Sequence, residues 1–185
     1  MQPFNKRIKK GEAAAFVELY EQLGEKLYRY VFSQIGSAPD ASDVVQDVFV
    51  RLVKSHRTLA KAKNLNSYVF VVARNETIRW VQKQKRARLK GFAETVPEEA
   101  QDTCEFHQAV EDEEWVKNIL DQLGAVDREI VQLKVFSQLT FLEISAVMNL
   151  PPTNVSTRYR RAIEKLQSRL EESPASNQLP RESGQ

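Results

Sequence analysis

The sequence predicts an all-α protein: two small helical domains joined by a flexible acidic linker. Three observations carry this expectation. Apolar residues recur at three- and four-residue steps, while Gly and Pro are scarce at 6 and 7 of 185 residues, the pattern of a chain rich in good helix formers. Charge is laid out in blocks. Residues 1–90 hold 18 Lys and Arg against 8 Asp and Glu, residues 91–114 hold none against 9, and residues 115–185 hold 9 against 8. The acidic block carries Pro97 and loses all periodicity, as a linker does.

In chain order, residues 11–35 read as a long helix, with Phe16, Tyr20, Leu23, Leu27 and Val31 on one face. Residues 36–40, Gly-Ser-Ala-Pro-Asp, break it. A second helix over 41–55 buries Val44, Val45, Val48, Phe49 and Leu52, and a third follows over 66–88 after a Lys-rich stretch. Together these form a first domain of residues 8–90, long enough to close a core. Beyond the 91–111 linker, helices are expected over 112–123, 127–136, 140–148 and 152–171, giving a second domain at 112–172. The tail, 173–185, holds two prolines and a glycine and is expected to be disordered.

Several function classes are disfavoured. No apolar run approaches the ~18–20 residues of a membrane span, the basic N-terminus turns amphipathic rather than uniformly apolar, and neither direct membrane insertion nor a signal peptide is expected. A single cysteine, Cys104, excludes an internal disulfide and suits a reducing cytoplasm. His56 and His107 have no Ser or acid partner at a recognisable spacing, and no Gly-rich phosphate loop is present, so no enzyme is expected. Cys104 and His107 offer two metal ligands where a closed zinc site needs about four; no metal or cofactor is expected.

The C-terminal segment carries the clearest motif. Thr140 and Glu143 have capping-box spacing, Ile144, Val147 and Met148 form the apolar side of a short helix, and Asn149-Leu150-Pro151 is a tight turn. Pro152 then suits the first position of a longer helix. Its apolar stripe is Val155, Tyr159, Ala162, Ile163, Leu166 and Leu170. Asn154, Ser156, Thr157, Arg160 and Arg161 lie opposite, flanked by Arg158, Lys165 and Arg169. Short helix, turn and longer basic helix is the helix-turn-helix layout; the alternative is an antiparallel helix pair with a solvated basic face. On the second helix, Asp43, Gln46, Asp47, Val50 and Lys54 share a side. They form either a docking patch for a protein or a solvent face with acids near its start.

The segments DVVQDVFVRL at 43–52 and SYVFVVARNETIRW at 67–80, with GEAAAFVELYEQLGEKLYRYV at the start and DREIVQL at 127–133 leading into the helix-turn-helix, resemble the extracytoplasmic-function group of sigma-70 factors. The match spans about residues 8–171 in the family's order. It implies a sigma region 2 at 8–90 and a sigma region 4 at 112–172 that straddle core RNA polymerase through the linker. It further implies that Asp43, Gln46 and Asp47 grip the beta-prime clamp helices, with region 4 on the beta flap. Asn75, Arg79, Gln82, Lys83 and Arg86 would meet the minus-10 element of promoter DNA, where a base is flipped out at a cost of a few kcal/mol. Asn154, Ser156, Thr157, Arg160 and Arg161 would read the minus-35 element. Trp80 is left either stacking on a base or in the core. An anti-sigma factor is the implied regulatory partner. The chain departs from the family at Ser156, where Lys or Arg is frequent, at Gln138, where Gly is frequent, and at Leu123-Gly124, where Leu-Pro is usual. A stand-alone helix-turn-helix regulator is the competing reading; it leaves the 43–52 segment and the Asn75 face without a use.

Overall fold

The computed structural model describes residues 3–89 and 120–172. The acidic linker, most of the expected 112–123 helix, the Cys104–His107 pair and the tail lie outside the described residues. Eight helices are present among those described: α1 Phe4–Lys10, α2 Ala13–Ile35, α3 Ala38–Lys54, α4 His56–Leu59, α5 Leu65–Leu89, α6 Ala125–Val135, α7 Phe141–Met148 and α8 Pro152–Glu172. The all-α expectation holds, with two short additions, α1 and α4.

Gly11 does not begin the long helix. At φ +73° it terminates α1, its N–H meeting the carbonyls of Arg7 and Ile8, and only a residue tolerant of the left-handed region closes a helix this way. α1 is thereby folded back so that Ile8 is fully buried. On α2, Phe16, Leu23, Leu27 and Val31 are buried as expected. Tyr20 departs from that stripe: it is 55% exposed and leans edge-on against Phe49, ring centroids 5.0 Å apart. α3 starts three residues earlier than the periodicity indicates because Pro39 falls in its first turn, where a missing N–H costs nothing. α2, α3 and α5 pack on one another.

The largest difference from expectation is between the two helical units. One apolar cluster runs through both: Leu27, Tyr30, Val69, Phe70 and Ala73 of the first share it with Ile130, Leu133, Ile144 and Val147 of the second. A smaller cluster, Leu120, Leu123, Val131, Ala162 and Leu166, belongs to the second unit alone. α6 therefore presents apolar residues in two directions, Ile130 and Leu133 toward the first unit and Val131 toward α8. A polar seam frames the shared cluster. The Tyr30 hydroxyl donates to Glu129 Oε1 at 2.8 Å. Arg74 Nε donates to the same oxygen at 2.7 Å and its Nη2 to Oε2 at 3.2 Å. Gln34 donates to the Gln132 side-chain oxygen, whose amide nitrogen in turn donates to the Ser33 carbonyl. Burial, then the neighbouring Glu129 charge, pushes the Tyr30 phenol well up, while the hydrogen bond to Glu129 raises Arg74. The node is thus a neutral tyrosine on a charged pair.

α7 begins with the capping box in full. Thr140 Oγ1 accepts from the Glu143 N–H at 3.2 Å, and Glu143 Oε2 accepts from the Thr140 N–H at 2.8 Å. Burial alone would raise the Glu143 carboxyl, but the Thr140 backbone and hydroxyl, with Asn64 and Asn66 across the seam, hold it below the usual range. The turn before α7 stores strain. Gln138 sits at φ +55°, in a region that costs a non-glycine residue roughly 1–2 kcal/mol. Gln138→Gly is expected to stabilise the protein by about 0.5–1 kcal/mol, since the relieved strain exceeds glycine's extra unfolded-state entropy of roughly 0.5–1 kcal/mol. Thermal unfolding followed by circular dichroism checks this, and a lowered midpoint would count against strain at Gln138.

Candidate functional site

Three exposed faces carry the residues singled out by sequence. The first is on α3. Its amphipathic spacing turns Val44, Val45, Val48 and Leu52 into the core and leaves Asp43, Gln46, Asp47, Val50 and Lys54 exposed. The helix geometry accounts for the grouping, since residues three and four apart stand over one another. Val53 is also exposed, and so is Tyr20, which meets this helix through Phe49. The face is therefore an acid-and-amide patch edged by uncovered apolar surface. Tyr20 escaped the sequence reading because apolar residues at helical steps are read as core.

The second face lies along α5. Ser67, Val69, Phe70, Val72, Ala73 and Thr77 are buried, while Asn75, Arg79, Gln82, Lys83 and Arg86 are all exposed. Asn75 lines a cleft of about 290 Å³ with Arg51, Ser55, Tyr68, Val71, Val72 and Glu76. Glu76, only 12% exposed at its side chain, holds Arg51 and Arg79, each at 2.7 Å. Arg79 is thus tethered beside the cleft, whereas no ion pair ties Lys83 or Arg86 among the described residues. The sequence reading found Asn75 but not Arg51, which reaches the cleft from α3, Tyr68, which lies two turns earlier on α5, or Glu76, the next residue along. Trp80 is half-buried and packs against the core cluster.

The third face is on α8. Val155, Ala162 and Leu166 are buried, and Tyr159 packs on Phe141 with ring centroids 5.4 Å apart. Asn154, Arg160 and Arg161 are exposed, and Ser156 and Thr157 are half-buried on the same flank. Their partners differ. Ser156 Oγ donates to the Thr153 carbonyl at 3.1 Å. Arg158 Nε donates to Asn154 Oδ1 at 3.1 Å while its Nη1 pairs with Asp127 at 2.7 Å. Arg158 therefore braces α8 to α6, and Lys165 ties α8 to the turn before α6 by donating to the Gln122 carbonyl at 2.7 Å. Arg160 stands 3.7 Å from Glu164. Arg161 has no intramolecular partner among the described residues, so its guanidinium fork is free to engage a ligand.

A basic helix held by a capped helix and a turn, in one chain with a polar track on α5, matches two family models in tandem. The description "Sigma-70 region 2" fits residues 19–87 and "Sigma-70, region 4" fits residues 113–166. The chain belongs to the extracytoplasmic-function group of sigma-70 factors. This sigma factor is 25% identical over 181 residues to the ECF RNA polymerase sigma factor SigW of Bacillus subtilis, a match covering 89% of this chain and 94% of that protein. It is 21% identical over 160 residues to the sigma factor RpoE of Cereibacter sphaeroides, covering 86% and 88% of the two chains. Among solved structures, CnrH in complex with the cytosolic domain of CnrY has the same fold, with a TM-score of 0.70, 22% identity, and coverage of 92% of this chain and 96% of CnrH. The sigma factor RpoE bound to the anti-sigma factor NepR, from Bartonella quintana, matches with a TM-score of 0.63 and 23% identity, over 84% and 96% of the chains. As a sigma factor the chain directs promoter-specific transcription. No described helix is long and apolar enough to cross a membrane.

Proposed function

We propose that this sigma factor binds core RNA polymerase through Asp43, Gln46 and Asp47 and opens promoters by gripping two DNA elements. In this reading α5 takes the minus-10 element, with Asn75 at the cleft where a flipped base is held. α8 takes the minus-35 element through Asn154, Ser156, Thr157, Arg160 and Arg161. The observation that carries it is the exposure, in one chain, of two separate nucleic-acid-type faces beside an acidic face unsuited to DNA. The cleft supports base capture: Tyr68 offers a ring, and Asn75 and Glu76 offer hydrogen-bonding groups of the kind that read an extruded base. The factor contributes no catalysis of its own. It works in the cytoplasm, with the beta-prime clamp helices and the beta flap as its polymerase contacts and an anti-sigma factor as its regulator. The regulator is supported by the two neighbours solved with CnrY and NepR.

This reading requires the two units to part. Elements about 25 base pairs apart lie roughly 85 Å apart along duplex DNA at ~3.4 Å per pair. A compact chain of this length has a radius of gyration of about 16 Å, roughly 40 Å across. The packed arrangement is therefore too small to hold both elements. The stretch between residues 89 and 120, at most ~3.3–3.6 Å per residue, reaches about 100 Å, enough to bridge the gap once the seam opens.

The test is co-purification of the full chain with core polymerase, followed by transcription from its promoter. Asp47→Lys is expected to weaken core binding about tenfold, near 1.4 kcal/mol, with an unchanged circular-dichroism spectrum. Unchanged core affinity would refute the assignment of the α3 face. Tight duplex binding without any core binding would favour the stand-alone regulator instead.

A further inference from the structure

Between Asp47 and Glu76 the chain contains no acidic residue, and none precedes Glu12. The fold sets these two stretches side by side. α1 packs on α4, and His56 Nδ1 lies 3.0 Å from the Lys9 carbonyl oxygen. Lys6, Lys9 and Lys10 from α1, and Lys54, Arg57, Lys61 and Lys63 from the α3 end, α4 and the loop after it, are all exposed. The remaining cations of the two stretches are compensated. Arg7 is paired with Glu12 and Glu18, Arg51 with Glu76, and Arg74 with Glu129. The seven exposed ones have no ion-pair partner among the described residues.

An ordinary solvated helix face mixes charges of both signs, because like charges at helical spacing repel. A surface of cations alone suits a polyanion. Its chemistry also says how it would bind. Lysines are point charges, and the ridge's aromatic, Phe4, is half-buried against the core, so the ridge lacks the exposed rings that stack bases. It fits phosphates. Its position selects which phosphates. The loop carrying Lys61 and Lys63 runs directly into α5, where Asn64 Oδ1 accepts from the Ser67 N–H at 2.8 Å, and Tyr68, one residue on, lines the Asn75 cleft.

We infer that the α1–α4 ridge is a separate, sequence-independent contact for the phosphate backbone of promoter DNA adjoining the strand held at the Asn75 cleft. This rests on the promoter reading above. The ridge adds affinity and salt dependence without adding sequence preference, and it extends the DNA footprint onto a helix that precedes the recognised region 2.

The experiment measures equilibrium binding of assembled holoenzyme to a promoter fragment with a single-stranded minus-10 segment over a potassium chloride series. Two variants are compared with wild type: Lys9→Gln with Lys10→Gln and Arg57→Gln, and separately Lys61→Gln with Lys63→Gln. Each cation that leaves a single-strand phosphate reduces the slope of log affinity against log salt by about 0.7, and a duplex phosphate by about 0.9. The expected result is a shallower slope by roughly two units for the triple variant. The affinity loss should be equal on intact and scrambled minus-10 fragments. Unchanged slopes in both variants, while wild-type holoenzyme still prefers its promoter, would overturn the ridge and leave the proposed function standing. Failure of the variants to assemble with core would reassign the ridge to polymerase. Salt-sensitive binding of wild type to phosphatidylserine vesicles, lost in the variants without a change in the DNA slope, would reassign it to a membrane surface. Absence of any promoter preference in wild-type holoenzyme would defeat the promoter reading and the ridge with it.

Discussion

Glu129→Ala is expected to shift the free sigma factor from its packed form toward an open one by about 5- to 150-fold. Glu129 accepts hydrogen bonds from both Tyr30 and Arg74. Tyr30 is 1% exposed, so truncating Glu129 leaves a buried hydroxyl without its partner as long as the units stay packed. An unmet buried donor costs about 1–3 kcal/mol. The Arg74 part is worth less, because its side chain is 28% exposed and Glu129 15%, which lets water screen the pair. Opening returns both groups to water, so the penalty falls on the packed form alone. Small-angle scattering of the free protein reads this directly: the radius of gyration should rise above the ~16 Å of a compact chain. Tyr30→Phe removes one donor and should move it less. If Ile130, Leu133, Ile144 and Val147 hold the units together unaided, the scattering curve of Glu129→Ala will match wild type, and the polar node is not the latch.

Arg161→Ala is expected to cost about 1–3 kcal/mol, roughly 5- to 150-fold, in binding promoters that depend on a minus-35 element. The structure singles Arg161 out from its neighbours. Arg158 is spent on Asp127 and Asn154, and Arg160 lies near Glu164, whereas Arg161 is exposed and has no partner among the described residues. A planar fork of donors in that state can take two acceptors on a guanine edge at once. Run-off transcription from matched promoters, one with its minus-35 element scrambled, separates the cases. Loss confined to the intact element marks base reading, while equal loss on both marks phosphate contact and sinks the assignment. Ser156 Oγ donates back to the Thr153 carbonyl.

Much of the fold was legible because most of its helices are long enough to show a period. α3 and α8 repeat their apolar residues over several turns, and the buried sets there follow the sequence pattern. The Thr140 to Glu143 cap was legible for a different reason: its two hydrogen bonds depend on four neighbouring residues and nothing else. α1 and α4 escaped because seven and four residues are shorter than the window in which a period can be recognised. Gln138 could be noted as a departure from glycine, but its positive φ is a property of the turn that α6 and α7 impose on it. The α5 track was found because its five residues share one helix. The cleft beside it was only partly found, since Arg51 comes from α3.

The sequence by itself determined which faces of the individual helices are polar and where the helix-turn-helix begins. Those properties follow from residue spacing on one helix, which local geometry alone converts into a surface. Only the tertiary structure decided that Glu129 meets Tyr30 and Arg74, that one apolar cluster is shared by both units, and that two acid-free stretches lie together. Each of these joins residues tens of positions apart, and no local periodicity encodes which distant face will cover a given one.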